Sequence, residues 1–114
     1  MQRTGKINSV IRKVVNMLKV RNDEITIHRR DAFSLLCDIE NIDANKLFFY
    51  VVDEENKMLL KKGAKEYENG VFFVFDSNDT NIPHGWHTYF VQYTIDEQNV
   101  ITTNQNTFRV IQSV

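Results

Sequence analysis

Two runs in this chain restrict its architecture more than any other feature. In residues 46–53, Leu47, Phe49 and Val51 alternate with Phe48, Tyr50 and Val52, and in residues 71–75, Val71, Phe73 and Phe75 alternate with Phe72 and Val74. Side chains of a strand point alternately to opposite sides, so a run that is apolar in both phases predicts a central strand covered on both faces. The rest of the chain from Glu24 onward keeps the same period of two. Further strands are expected over 24–28, 32–39, 86–95, 100–103 and 108–111, separated by Asn, Asp, Gly and Pro, with a short run at 58–60 and a charged loop or edge over 61–70. About seven short strands in roughly 90 residues is the pattern of an immunoglobulin-like antiparallel β-sandwich.

The segment before Glu24 has a different period. Ile7, Val10, Ile11, Val14, Val15, Met17 and Leu18 fall at the i, i+3, i+4, i+7 spacing of an amphipathic helix, with Asn8, Arg12, Lys13, Asn16 and Lys19 opposite. An N-terminal amphipathic α-helix is therefore expected. Its β-branched content leaves an edge strand open for part of it. The expected division is a basic helical arm over residues 1–22 and an immunoglobulin-like β-sandwich domain over residues 23–114.

Charge follows the same division. Residues 1–30 hold eight bases and two acids, and the remainder holds six bases and thirteen acids, so a net charge of -1 conceals a basic arm and an acidic body. At 114 residues, with 42% hydrophobic side chains, the chain is sized for one domain with a core of its own. One cysteine, Cys37, excludes an internal disulfide. With no apolar stretch of membrane-crossing length and no signal peptide evident, a soluble chain made in a cytoplasm is expected.

Catalytic chemistry finds little footing. His84 and His87 lack a third ligand at a recognisable spacing, so no metal or other cofactor is expected. Cys37 shares the phase of Phe33, Leu35 and Ile39 and reads as core. Asp53, Glu54 and Glu55 read as a solvated turn, and four scattered glycines make no phosphate loop. A non-enzymatic protein without a small-molecule substrate is expected. Phe48, Tyr50 and Phe72 could stack bases, but the acidic body would repel a phosphate backbone, so nucleic acid is disfavoured. The arm lacks the Trp or Phe of an interfacial helix, so a membrane is disfavoured as well.

Several segments resemble the immunoglobulin-like domains that open baseplate, tail and receptor-binding proteins of phages and prophages of Gram-positive hosts. They are Arg30-Asp31-Ala32-Phe33-Ser34-Leu35, the run from Ala44 to Asp53, Ile82-Pro83-His84-Gly85-Trp86-His87-Thr88-Tyr89-Phe90-Val91, Val100-Ile101-Thr102 and Asn106-Thr107-Phe108-Arg109-Val110. His87 stands where that family favours Tyr, and Asn106 where it favours Gly. The basic arm has no counterpart in the family pattern. The resemblance implies a structural component of a virion whose partners are other virion proteins and copies of itself. Assembly contacts are then expected at Ile7, Val10, Ile11, Arg12, Lys13, Val14, Met17 and Leu18 of the arm. A second set is expected at Phe48, Tyr50, Phe72 and Val74 of the sheet. The alternative is a free-standing recognition module that binds host glycan or protein through loops 76–84 and 96–99.

Overall fold

The computed structural model describes residues 11–13, 19–21, 24–37, 41–103 and 105–112. In chain order the strands are β1 (Ile11–Lys13), β2 (Lys19–Arg21), β3 (Glu24–His28), β4 (Phe33–Cys37), β5 (Leu47–Val52), β6 (Met58–Gly63), β7 (Lys65–Tyr67), β8 (Gly70–Phe75), β9 (Gly85–Asp96), β10 (Asn99–Thr102) and β11 (Asn106–Ile111). A 3-10 turn, Ala44–Lys46, leads into β5. The strands form two sheets. The smaller runs β1-β4-β8-β7, and the larger runs β2-β3-β11-β9-β5-β6 with β10 paired to β9.

The sheets face each other through the alternating set read from the sequence. Phe33, Leu35, Cys37, Phe73 and Phe75 point inward from the smaller sheet, and Ile25, Ile27, Leu47, Phe49, Val51, Tyr89, Val91, Phe108 and Val110 from the larger; all are buried. Phe49 lies at the centre. Its ring centroid is 5.4 Å from Phe73, 5.1 Å from Phe75, 5.1 Å from Tyr89 and 6.1 Å from Phe108. Phe33 stacks on Phe75 at 4.5 Å, extending the cluster along the smaller sheet.

Four expectations are corrected. The helix expected over residues 7–20 is, wherever it is described, β-strand: Ile11–Lys13 pairs antiparallel with β4, and Lys19–Arg21 antiparallel with β3. The open edges of β3 and β4 offer backbone partners, and β-branched residues suit them. Ile7, Val10, Val14, Met17 and Leu18 of the arm lie outside the described residues. Among the described residues the strand count is eleven rather than about seven, because β1 and β2 add to the count and the stretch after Leu60, expected as loop or edge, is extended as edge strands. There β6 forms an edge of the larger sheet, Ala64 is buried, and β7 continues as an edge of the smaller. The sheets are not wholly antiparallel, since β3 and β11 run parallel. Finally, Ile95, expected to share the inward phase of Tyr89, Val91 and Tyr93, is 40% exposed where the β9–β10 hairpin runs on beyond the core.

Replacing Phe49 removes the ring that joins Phe73 and Phe75 of the smaller sheet to Tyr89 and Phe108 of the larger. Phe49→Ala should lower the free energy of unfolding by about 3–5 kcal/mol, measured by guanidinium denaturation. Phe49→Leu should cost clearly less, because volume is better conserved.

Candidate docking surface

The outward phase of the larger sheet carries an unusual share of aromatics. Register places Phe48 opposite Gln92 and Gly63, and Tyr50 opposite Phe90 and Lys61. Tyr50 and Phe90 stack at 5.1 Å. The Lys61 ammonium lies 4.7 Å from the Phe48 ring centre and 5.7 Å from that of Tyr50. Gly63 leaves room for Phe48, since a Cβ there would sit 3.2 Å from the ring. The cover demanded by this outer face thus comes in part from its own sheet: Phe48, Tyr50 and Phe90 are half-buried.

Phe72 and Val74 project from the other side of the molecule, on the outer face of the smaller sheet. Phe72 is buried, with Tyr67 at 5.7 Å in an edge-to-face contact, while Val74 is 39% exposed and Tyr67 44%. The four sheet residues expected to share one interface therefore fall into two pairs on opposite outer faces. Alternation tells which phase a residue occupies, but it does not tell which sheet its strand joins.

The residue missed by the sequence reading is Trp86. It is one step out of phase with Tyr89 and Val91, so alternation alone places it outward, and it is 58% exposed. Arg109 stands opposite it on β11, with the guanidinium carbon 4.5 Å from the ring centre. On its other flank an open cleft of about 320 Å³ is lined by Asp53, Glu54, Glu55, His84, Gly85, Trp86 and His87. Gly85 has φ +137, a backbone conformation that favours glycine. The His87 ring donates through Nε2–H to the Pro83 carbonyl at 2.7 Å, and its Nδ1 is buried without a partner.

The loops are braced by their own acids. Asp53 Oδ1 accepts from the Glu55 and Lys57 amides, each at 2.9 Å. Asp76 Oδ1 accepts from the Asn78 and Asp79 amides, each at 2.9 Å, and Asp79 accepts from Lys62 at 2.8 Å. Asp96 accepts from the Asn99 side chain and the Gln98 amide. These hydrogen bonds hold all three carboxyls below the usual range: the Lys57 amide contributes most at Asp53, the Asp79 amide at Asp76 and the Asn99 side chain at Asp96. Thr80, fully buried, donates to the Asp31 carbonyl at 2.7 Å and ties loop 76–84 to the β3–β4 turn. Burial pushes the Cys37 thiol up to about 12. Among the described residues no three or more His, Cys, Asp or Glu side chains gather as metal ligands, and no helix is long and apolar enough to cross a membrane.

No protein-family model matches the chain, and no curated protein matches its sequence. In fold it is similar to the crystal structure of CopC from Methylosinus trichosporium OB3b, with a TM-score of 0.52 at 10% identity over 91% of this chain and 96% of that one. At that identity the likeness concerns the fold alone.

Two outcomes follow from these environments. Cys37 should resist a thiol reagent such as Ellman's in the native protein and react fully in denaturant; fast native labelling would place it at the surface. Carboxyls with lowered pKa stabilise the fold above the ordinary value of 3.8 and lose that contribution as pH falls below it through the folded-state values. The denaturation midpoint should therefore drop on acidification below about pH 4, and Asp76→Asn should shrink that drop.

Proposed function

We propose that this protein is a non-enzymatic immunoglobulin-like module that acts by docking on protein partners, as a structural component of a bacteriophage virion. The observation that carries the docking reading is the persistence of large apolar side chains on both outer faces. Phe48 and Tyr50 lie on one and Phe72 and Val74 on the other, where a sandwich surrounded by water favours polar residues. The virion reading rests on the resemblance of the Ala44 to Asp53 and Ile82 to Val91 segments to phage immunoglobulin-like domains. The alternative, recognition of host glycan or protein by loops 76–84 and 96–99, is less well served. Asp76, Asp79 and Asp96 spend carboxylate oxygens on their own turns and on Lys62, which ties up those acids as ligand contacts.

Mass spectrometry of particles purified from a host that carries the gene tests the reading directly. The chain should be present at a fixed ratio to a major virion protein, and its absence from particles would overturn the virion role. A monomer that gives a specific glycan-array signal would favour recognition instead.

A further inference from the structure

We infer that Trp86 is the centre of a self-complementary interface through which two copies of this chain pair face to face. Trp86 sits in a line of alternating chemistry across the larger sheet. On one side is Arg109, whose guanidinium lies 4.5 Å from the Trp86 ring centre and which makes no ion pair with a described residue. On the other, the β5–β9 register pairs Val52 with Thr88, so the turn that follows β5 runs on beside Trp86 and places Glu54 and Glu55 across the cleft. Both glutamates are exposed and make no ion pair with a described residue. The order across the patch is therefore cation, indole, carboxylates.

That order selects the occupant. A surface of one charge calls for a partner of the other, whereas a patch with both charges flanking an apolar centre complements itself. A two-fold axis lying in the interface along the strand direction, through Trp86, would bring Arg109 of each copy over Glu54 and Glu55 of the other. A closed pair with isologous contacts results. The cleft beside Trp86 gives each indole a place to bury the face that Arg109 leaves open. Trp and Arg are the residues most enriched where interfaces concentrate their binding energy, and charge pairs at the rim set register and orientation. Lys61, Phe48 and Tyr50 lie further out on the same face.

The inference rests on the docking reading above, naming a second copy as one partner. Pairing in solution and presence in particles are separate measurements, so either can fail alone. Trp86 is the chain's only tryptophan, which makes its fluorescence a direct report on the patch. Sedimentation velocity of the full chain from low micromolar to near-millimolar concentration should show a monomer–dimer equilibrium. Tryptophan emission should shift to the blue in step with the dimer fraction, and added salt should weaken both. Trp86→Ala, Arg109→Glu and the double change Glu54→Arg with Glu55→Arg should each weaken pairing at least tenfold. Combining Arg109→Glu with the double change should restore it to within a few-fold of the starting protein. All these positions are at the surface, and unchanged denaturation midpoints would confirm that folding is intact. A protein that stays monomeric with constant emission overturns the inference. So does an oligomer indifferent to Arg109→Glu and Trp86→Ala, which would locate self-association elsewhere, as on the outer face around Val74.

Discussion

The sandwich depends on the contacts that Phe49 makes across the space between its sheets. The ring lies on a strand of the larger sheet and touches Phe73 and Phe75 of the smaller while stacking against Tyr89 from the neighbouring strand. Aromatic pairs contribute about 0.5–1.5 kcal/mol beyond the area they bury, so a residue in several such pairs couples strands that are far apart in the chain. The cluster also demands correct register, because a slip of one residue exchanges inner and outer sets. In β5 and β8 such a slip would be weakly resisted, since Phe48 could take the place of Phe49 and Phe72 that of Phe73. Register must then be enforced by neighbours whose phases differ in polarity, such as β11 with Thr107 and Arg109 outward against Phe108 and Val110 inward. The Asp53 turn, closed by two amide hydrogen bonds, adds a local constraint at the end of β5.

The same two strands explain why the outer surfaces are not simply polar. Having apolar residues in both phases, β5 and β8 push aromatics outward as an unavoidable counterpart of the central cluster. The fold partly covers them from adjacent strands, with Lys61 over Phe48 and Tyr50, and Tyr67 against Phe72. Each of these is a cross-strand neighbour, and such pairs are the ordinary unit of sheet stabilisation. Trp86 differs because its neighbours are a cation on one side and an open cleft on the other. It keeps the exposure that its strand mates have lost.

How far the sequence discloses this arrangement depends on the physical signal involved. Alternation separates the two phases of β3, β4, β5 and β8, because one face of each strand meets the core whatever the topology, whereas in β11 the adjacent Val110 and Ile111 leave the phase unassigned. It could not assign strands to sheets, which is why Phe48 and Phe72 were placed in one set of contacts although they lie on opposite outer faces. The charge of the β6–β7 stretch left two readings open: Lys61, Lys62, Lys65 and Glu66 fit a loop or an edge, and the structure has them on edge strands, which tolerate charge on any side that reaches water. At Ile11–Lys13 and Lys19–Arg21 the 3.6-residue period competed with β-branched composition, and the open edges of β3 and β4 decided for strand. Trp86 is legible in principle from its phase; what the sequence alone does not supply is the Arg109 and Glu54 flanks, which come from a strand and a turn distant in the chain.

The uneven charge along the chain also gains a physical reason. The outermost strands on the two sheet paths are β1 and β7 in the smaller sheet and β2 and β6 in the larger. Their sequences include Arg12, Lys13, Lys65, Lys19, Arg21, Lys61 and Lys62, which is half of the fourteen Lys and Arg in the protein. An open edge exposes unpaired backbone groups that can capture another strand, and charged residues, lysine above all, discourage such pairing. Much of the basic excess in the first thirty residues therefore belongs to the sheet edges themselves. Many of the acids of the body have an equally local task, since Asp53, Asp76, Asp79 and Asp96 hold their turns by accepting backbone or side-chain hydrogen bonds. Once edges and turns have taken their share, Arg109, Glu54 and Glu55 are among the charges left without such a structural task. They flank the one exposed tryptophan.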